Sequence, residues 1–245
     1  AQGANSADFL LSVGLLHLER GDYEHARHLL ADARAAAPRD AGVAIQFAQV
    51  CYDLLRIDEA TATLADWTKL DDMTAEHLAQ IALLLLNLGN ANESNAVVRR
   101  LLQEPAPGPS VLLKLCQIFE RTNRVDDAEA GLNALLADTR SAVLGDELVM
   151  LRAQLAQRRK EHDTAVQLFE GVVEREPAHR RHLALFPMAK SLQAAGHPAR
   201  AWQVLQQAHA AQLQQLARSH PQVAACDEPP LLITRHSCDA NDITT

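Results

Sequence analysis

The sequence predicts an all-α protein made of stacked helical hairpins, and three observations support this fold class. A small residue recurs at positions 26, 60, 94 and 128, in steps of 34 residues, and again at 165 and 201, after steps of 37 and 36. Turn signals separate helix-favouring stretches at the same period. Apolar residues make up 48% of the chain and aromatic residues only 4%, so the packing must depend mainly on Leu, Val and Ala. This period is typical of solenoids, in which each two-helix unit packs on its neighbours.

The stretch at residues 21–38 shows most clearly why these units should be hairpins. It opens with a Gly-Asp turn signal, and the helix after it carries Ala26, Leu30 and Ala33 on one face. Small side chains on that face let a neighbouring helix approach closely. Pro38 then ends the helix, because proline cannot continue one and disfavours helical angles in the residue before it.

The pattern divides most of the chain into six repeats. We place them at residues 7–40, 41–72, 75–106, 109–140, 146–177 and 182–213. Trp67 stands at a usually small position in the second helix of repeat two, which predicts wider stacking there. The Pro-rich residues 105–109 predict a rigid corner, and the step of 37 residues predicts a longer loop or helix end before repeat five. Pro187 predicts a kink or a late start in the first helix of repeat six. We expect the last helix to run on to about residue 219.

The first repeat resembles the tetratricopeptide repeat (TPR) family. The positions that match the family pattern are Gly14, Gly21, Tyr23, Ala26, Ala33 and Pro38. The usual Trp and Tyr of the first helix are replaced by Leu10 and His17. The resemblance covers residues 7–213 and implies a right-handed α-solenoid of about six TPR-like hairpins plus a C-terminal capping helix.

The resemblance also implies a domain organisation. We assign residues 1–219 to the solenoid with its capping helix and residues 220–245 to an extended tail or a linker to a further domain. The sequence begins at Ala1 and not at methionine, so we expect an excised domain or a processed chain.

TPR proteins bind along a concave groove lined by their first helices, so the resemblance implies a peptide-binding groove here. It places thirteen residues on that inner face: Leu11, Leu15, Ile45, Gln46, Gln49, Gln80, Lys114, Gln117, Arg121, Gln154, Arg158, Lys190 and Gln193. The N-terminal part of the groove would be apolar, and the C-terminal part rich in Gln, Lys and Arg. Glutamine can both donate to and accept from a peptide backbone, and Lys and Arg favour an acidic segment or a terminal carboxylate. The alternative is a merely solvated helix face.

Some TPR proteins grip a C-terminal carboxylate with a set of Lys, Asn and Arg side chains. Leu11, Leu15 and Gln46 stand at the matching places of this chain, so that clamp is missing. Binding of chaperone tails is therefore not expected.

Charge and hydropathy restrict the partners. The net charge is −8, and nucleic-acid binding needs a basic face, so we expect a protein or peptide and no nucleic acid. The most apolar run, residues 81–86, is far too short to span a bilayer, and no signal peptide is visible. We therefore expect a cytoplasmic location without membrane contact.

No pattern in the sequence indicates catalysis. Nucleophile and phosphate-binding motifs are absent, so we assign no catalytic and no cofactor-binding residue. The four cysteines, Cys51, Cys116, Cys226 and Cys238, lie far apart and are interpreted as free thiols in a reducing compartment. His179 and His182 lack a third ligand, so a basic surface turn is favoured over a metal site.

A second, narrower resemblance begins near Leu183. Residues 183–209, with the later LLITRHSCDAND, resemble the end of the TPR region in bacterial TPR–sulfotransferase fusions. The sequence holds no phosphosulfate-binding loop, so any catalysis would belong to a domain beyond it. Three functions follow: a peptide-binding scaffold, a non-catalytic region that presents substrate or mediates dimer contacts in a sulfotransferase, and an oligomerisation module that forms homo-oligomers through its terminal repeat.

Overall fold

The structure is a computed structural model that describes residues 6–104 and 107–219. These ranges hold twelve α-helices in six consecutive hairpins. The helices are α1 (Ala7–Glu19), α2 (Tyr23–Ala36), α3 (Ala41–Asp53), α4 (Ile57–Leu64), α5 (Ala75–Asn87), α6 (Ala91–Leu101), α7 (Pro109–Arg121), α8 (Val125–Ala137), α9 (Gly145–Arg158), α10 (His162–Arg175), α11 (His182–Ala194) and α12 (Pro198–Ser219). Short 3₁₀ segments lie at Trp67–Lys69, Thr139–Leu144 and Ala178–Arg180. In the described ranges, β pairing is limited to one isolated bridge between Asp40 and Asp71.

The start of the first helix in each early repeat is set by a capping residue that recurs at the period of the sequence. Ser6 accepts a hydrogen bond from the backbone N–H of Phe9, and Asp40 accepts one from that of Val43 at 2.8 Å. Thr74 caps α5 in a capping box with His77. These side chains satisfy helix N–H groups that have no partner inside the helix.

The turn inside each hairpin also repeats, through one residue in the left-handed backbone region. The residues are Gly21, Leu55, Gly89, Asn123, Lys160 and Gly196, with φ between 50° and 90° in every case. At each turn the next residue donates its backbone N–H to a carbonyl five positions back, as Asp22 does to His17 at 2.9 Å. These positions follow the same steps as the small residues, so one helix-ending motif fixes the register of all six hairpins.

The predicted small residues lie where helices meet. Ala26, Ala60, Ala128 and Ala165 are fully buried, and Ser94 is nearly so. The hydroxyl of Ser94 donates to the carbonyl oxygen of Ala82 at 2.7 Å, so its polar atom has a partner inside the core. The expectation that compact side chains allow close helix crossings is confirmed at these positions.

Each first helix packs on its own second helix and on the first helix of the next repeat. Buried Leu, Val, Ile and Ala side chains form three neighbouring clusters along the array, centred on repeats one and two, two to five, and five and six. The helix α9 belongs to two of these clusters, with Leu151 and Leu155 in one and Ala153 and Ala156 in the other. The protein is therefore an all-α solenoid whose core continues from repeat to repeat.

Two segments depart from the regular pattern of helical hairpins. The additional residues before repeat five form the 3₁₀ segment Thr139–Leu144, which confirms the predicted longer connection. The prediction that Trp67 lies in the second helix of repeat two is wrong, because α4 ends at Leu64 and Trp67 lies in a 3₁₀ turn. Its indole N–H there reaches the carboxylate of Glu93 at 3.3 Å, and the ring packs against the core from outside the helix.

Two proline predictions have different outcomes. Helix α11 begins at His182 with Pro187 in its interior, so the late helix start is not observed. The corner predicted at residues 105–109 cannot be traced, since residues 105 and 106 are outside the described residues.

The last helix is much longer than the other second helices and reaches the first hairpin. Gln215 donates its side-chain amide to the hydroxyl of Tyr23 at 3.1 Å, and the guanidinium of Arg218 lies beside Gly21. Arg218 also lies 3.3 Å from Nδ1 of His179, in the loop before α11. The predicted extension to residue 219 is thus a continuation of α12 that joins the two ends of the described solenoid.

Candidate ligand-binding groove

The first helices of repeats two, three and four together line a cleft on the face of the solenoid that the first helices form, which we call the inner face. The cleft has a volume of about 220 Å³. Its lining residues are Ile45, Gln46, Gln49, Gln80, Leu83, Leu84, Asn87 and Lys114. We refer to these eight residues as the inner cleft. It contains four side-chain amides and one ammonium group above an apolar floor.

The period of the chain explains why these side chains meet. Gln46, Gln80 and Lys114 occupy the same position in consecutive repeats, each 34 residues after the last. Because the helices stack in register, equivalent residues form a row across the array. A second such row contains Asp53, Asn87 and Arg121, at the ends of the three helices.

Hydrogen bonds hold the polar side chains of these rows. Gln49 donates its amide to the carboxylate of Asp53 at 2.9 Å. Arg121 donates to the amide oxygen of Asn87, and the ammonium of Lys114 donates to the Ser110 hydroxyl at 3.0 Å. Burial raises the pKa of Asp53, and the hydrogen bond from Gln49 opposes that change. Asp53 and Arg121 therefore each lie one hydrogen bond away from a residue of the inner cleft.

Of the thirteen residues that the sequence predicts for the groove, five meet in the inner cleft. They are Ile45, Gln46, Gln49, Gln80 and Lys114. Ile45 is only 4% exposed, so it forms part of the floor and offers little surface to a ligand.

The remaining eight predicted residues lie elsewhere along the array. Leu11 packs against the core of the first two repeats, and Leu15 is partly exposed on α1. Gln117 and Gln154 are half-buried on α7 and α9, and Arg121 lies on α7 at the end of the inner cleft.

The C-terminal members of the predicted set have other surroundings. Arg158 forms an ion pair with Glu120 at 2.6 Å, and Glu120 is buried. Lys190 and Gln193 line a separate cleft of about 360 Å³ at the end of the array, beside the exposed Trp202. The thirteen residues are therefore not one continuous site.

Sequence reasoning missed several residues of the inner face. Leu83, Leu84 and Asn87 line the inner cleft, and Asp53 supports it. A signal for two of them was present, because Asn87 and Asp53 lie one and two periods of 34 residues before Arg121. Leu83 and Leu84 carried no such signal, since apolar residues of a helix do not reveal which of them faces a ligand.

The described cysteines are structural. Burial raises the pKa of the Cys51 thiol to about 12 and that of Cys116 to about 11. Thiols with such pKa values are almost fully protonated near neutral pH and are poor nucleophiles. Cys226 and Cys238 are outside the described residues.

Two further observations concern residues 6–104 and 107–219. Within these ranges, no group of three or more His, Cys, Asp or Glu side chains is arranged to hold a metal ion. None of the helices there combines the length and apolarity that crossing a membrane requires.

Comparison with known proteins gives a family match and several fold likenesses. The family described as anaphase-promoting complex, cyclosome, subunit 3 matches residues 1–67. No curated protein matches the sequence.

Three solved structures that are similar to this one are distant from it in sequence. The chain is similar to one from the APC/C hetero-tetramer Cut9–Hcn1, with a TM-score of 0.65 and 14% identity, over 89% of this chain and 42% of the other. It is similar to an IFIT1 monomeric mutant with Gppp-AAAA, with a TM-score of 0.60 and 16% identity, over 82% of this chain and 50% of the other. It therefore spans about half or less of these two chains.

A third likeness extends over nearly the whole of both chains. PilW, a type IV pilus biogenesis factor, has a TM-score of 0.59 and 17% identity, over 89% of this chain and 98% of PilW. The repeat register, the repeated turn geometry of the six hairpins and these likenesses agree. The chain therefore has the fold of a tetratricopeptide-repeat-like α-solenoid.

Proposed function

We propose that the chain is a protein-interaction scaffold that binds a peptide segment of its partner in the inner cleft. The observation that carries the proposal is the row of amides from Gln46, Gln49, Gln80 and Asn87, which three successive helices bring together. A side-chain amide has two donor hydrogens and an acceptor oxygen, so such a row can bond to both polar groups of an extended peptide.

The size of the inner cleft favours a peptide over an enclosed small molecule. Pockets for drug-sized ligands usually measure about 300–1,000 Å³, and the inner cleft is smaller, at about 220 Å³. It fits part of a longer chain that continues along the neighbouring first helices. The net charge of −8 also favours a protein partner over a nucleic acid.

What the similar proteins assemble with is consistent with this proposal. The family match is to a subunit of the anaphase-promoting complex, and one similar structure is a hetero-tetramer from APC/C. Neither the sulfotransferase alternative nor the oligomerisation alternative gains support from these comparisons. A cytoplasmic location also stays a prediction.

Partner capture by the purified chain tests the proposal. Proteins captured by the wild type should be lost from a Gln49→Ala, Arg121→Glu variant, which removes one amide and reverses one charge at the inner cleft. A matched control makes the same kinds of change on second helices, with Gln206→Ala and Arg99→Glu at two exposed positions. The control should keep its partners, and thermal melting should show that both variants are folded. Capture that survives the inner-cleft changes would place the binding site elsewhere.

A further inference from the structure

The sign of the charge changes along one row of the inner face. The last position of the first helix, or its equivalent, holds Glu19, Asp53, Asn87, Arg121 and Arg158 in repeats one to five. The row thus begins with acids, passes through a neutral amide of the inner cleft and ends with bases. Charges on such a row act together on a ligand that lies across it.

The acidic end of the inner cleft is a carboxylate without a cationic partner. Asp53 is half-buried, and its described contact is the hydrogen bond from the neutral Gln49 amide. No Lys, Arg or His of the described ranges forms an ion pair with it. A partly desolvated carboxylate in this state is stabilised when a cation approaches it.

The basic end has the opposite property. Lys114 and Arg121 donate to Ser110 and Asn87, which are neutral, and within the described ranges neither is paired with a carboxylate. Arg158, the next base in the row, differs because Glu120 balances its charge at 2.6 Å. The positive charge available to a ligand is therefore that of Lys114 and Arg121, across the inner cleft from Asp53.

We propose that this polarity selects the ligand: the inner cleft binds a peptide segment that carries both a basic and an acidic side chain. The basic group lies toward Asp53, and the acidic group lies toward Lys114 and Arg121. This inference depends on the proposed scaffold function and narrows it. It also differs from the sequence-based expectation of a simply acidic ligand, because an all-acidic segment would place a like charge against Asp53.

Three sets of fluorescein-labelled peptides of equal length test the polarity. One set carries Lys at one end and Glu at the other, with Gly/Ser spacers of varied length, in both sequence directions. The second set carries only Glu and the third only Lys. Fluorescence anisotropy at low salt should show that the best mixed peptide binds the wild type about tenfold more tightly than either single-charge set, a difference of about 1.4 kcal/mol.

Charge-reversed variants should exchange these preferences. Asp53→Lys should favour the all-Glu peptides, and the double variant Lys114→Glu, Arg121→Glu should favour the all-Lys peptides. Asp53→Asn keeps an oxygen that accepts from Gln49, so it separates the loss of charge from damage to the fold. It should reduce the preference for mixed over all-Glu peptides, with no loss of thermal stability.

The result that overturns the polarity is tight binding of all-Glu peptides to the wild type with no response to Asp53→Asn. In that case the scaffold proposal stands, with a simply acidic ligand. Failure of every peptide to bind at every spacer length also overturns the polarity. The scaffold proposal is then judged separately, by the capture experiment with the inner-cleft variant.

Discussion

The outer and inner surfaces of the solenoid differ in how they arrange their charges. On the outer side, ion pairs connect neighbouring second helices, as Arg27 does with Glu59 at 3.4 Å and Arg56 does with Glu24 at 3.0 Å. A similar pair joins Arg200 of α12 to Glu170 of α10, and Arg159, just after α9, pairs with Glu129 of α8. Around the inner cleft, Asp53, Lys114 and Arg121 have neutral partners in the described ranges.

This difference in charge pairing indicates that the two surfaces have different roles. The outer ion pairs act within the molecule, where each exposed pair contributes about 0–1 kcal/mol to stability. Under the proposed function, the charges of Asp53, Lys114 and Arg121 are left for a ligand, at some cost in stability for the half-buried Asp53. Residues kept for binding commonly carry such a cost.

The largest expected effect concerns the contact between the inner helix α7 and the outer helix α8. A Cβ atom added at Gly131 would clash with Sγ of Cys116, which is fully buried. We expect Gly131→Ala to destabilise the fold by about 1–3 kcal/mol through overpacking. Chemical denaturation measures the loss, and adding Cys116→Ala should recover part of it. An unchanged free energy of unfolding in Gly131→Ala would contradict the close α7–α8 contact.

The hairpin turns offer a smaller change of opposite sign. Leu55 adopts φ 59° at a turn where three of the six equivalents are glycine, and its side chain is exposed. Left-handed angles cost non-glycine residues about 1–2 kcal/mol. Glycine avoids this strain, but its greater freedom in the unfolded state offsets part of the gain. Leu55→Gly should therefore raise the free energy of unfolding by about 0.5–1 kcal/mol. Gly89→Ala, at the equivalent turn with φ 79°, should lower it.

A third pair of variants tests the inner–outer contrast directly, since both remove one negative charge. Burial raises the pKa of Asp53, whereas hydrogen bonding to Arg159 lowers that of Glu129. Asp53→Asn should raise the melting temperature at neutral pH, and Glu129→Gln should lower it slightly.

The pH dependence of the first variant gives a check on sign. Folded Asp53 binds a proton more readily than the unfolded carboxyl with its pKa of 3.8, so the wild type loses stability as the pH rises through the raised pKa. The advantage of Asp53→Asn should therefore shrink as the pH falls toward 3.8. A destabilised Asp53→Asn variant would show that Asp53 is part of the structural network after all.

The smallest expected effect concerns the contact between α12 and the loop before α11. Burial is the largest cause that lowers the pKa of His179, followed by the charges of Arg218 and Arg180. Glu176 opposes this lowering, and His182 adds slightly to it. The unfolded state then binds more protons just below pH 6.5, so stability should fall as the pH falls through this window. The melting temperatures of the wild type and of His179→Gln should be compared above and below pH 6.5. Below pH 6.5 the melting temperature of the wild type should fall more than that of the variant. Parallel curves would show that burial and Arg218 do not lower the pKa of His179.

The repeat register could be predicted from sequence because its determinants are local. Ala26, Ala60 and Ala128 are required by the close crossing of two helices, so their spacing alone fixes the hairpins. The contents of the inner cleft were predictable in part, since Gln46, Gln80 and Lys114 follow the same period.

Other features depend on contacts that no local pattern encodes. Trp67 lies outside α4, where its indole N–H donates to Glu93, 26 residues away in sequence. The contact of Gln215 with Tyr23 joins residues 192 positions apart, so it depends on the curvature of the whole array. Which charges are paired also depends on neighbouring repeats, as the difference between Arg121 and Arg158 shows.

The most direct test of the central claim is an NMR titration of the isotope-labelled chain with the best mixed-charge peptide. The account predicts that backbone amide shifts concentrate on α3, α5 and α7 around the inner cleft, and that Asp53→Lys removes them. Shifts concentrated on the second helices, or on the cleft beside Trp202, would contradict it.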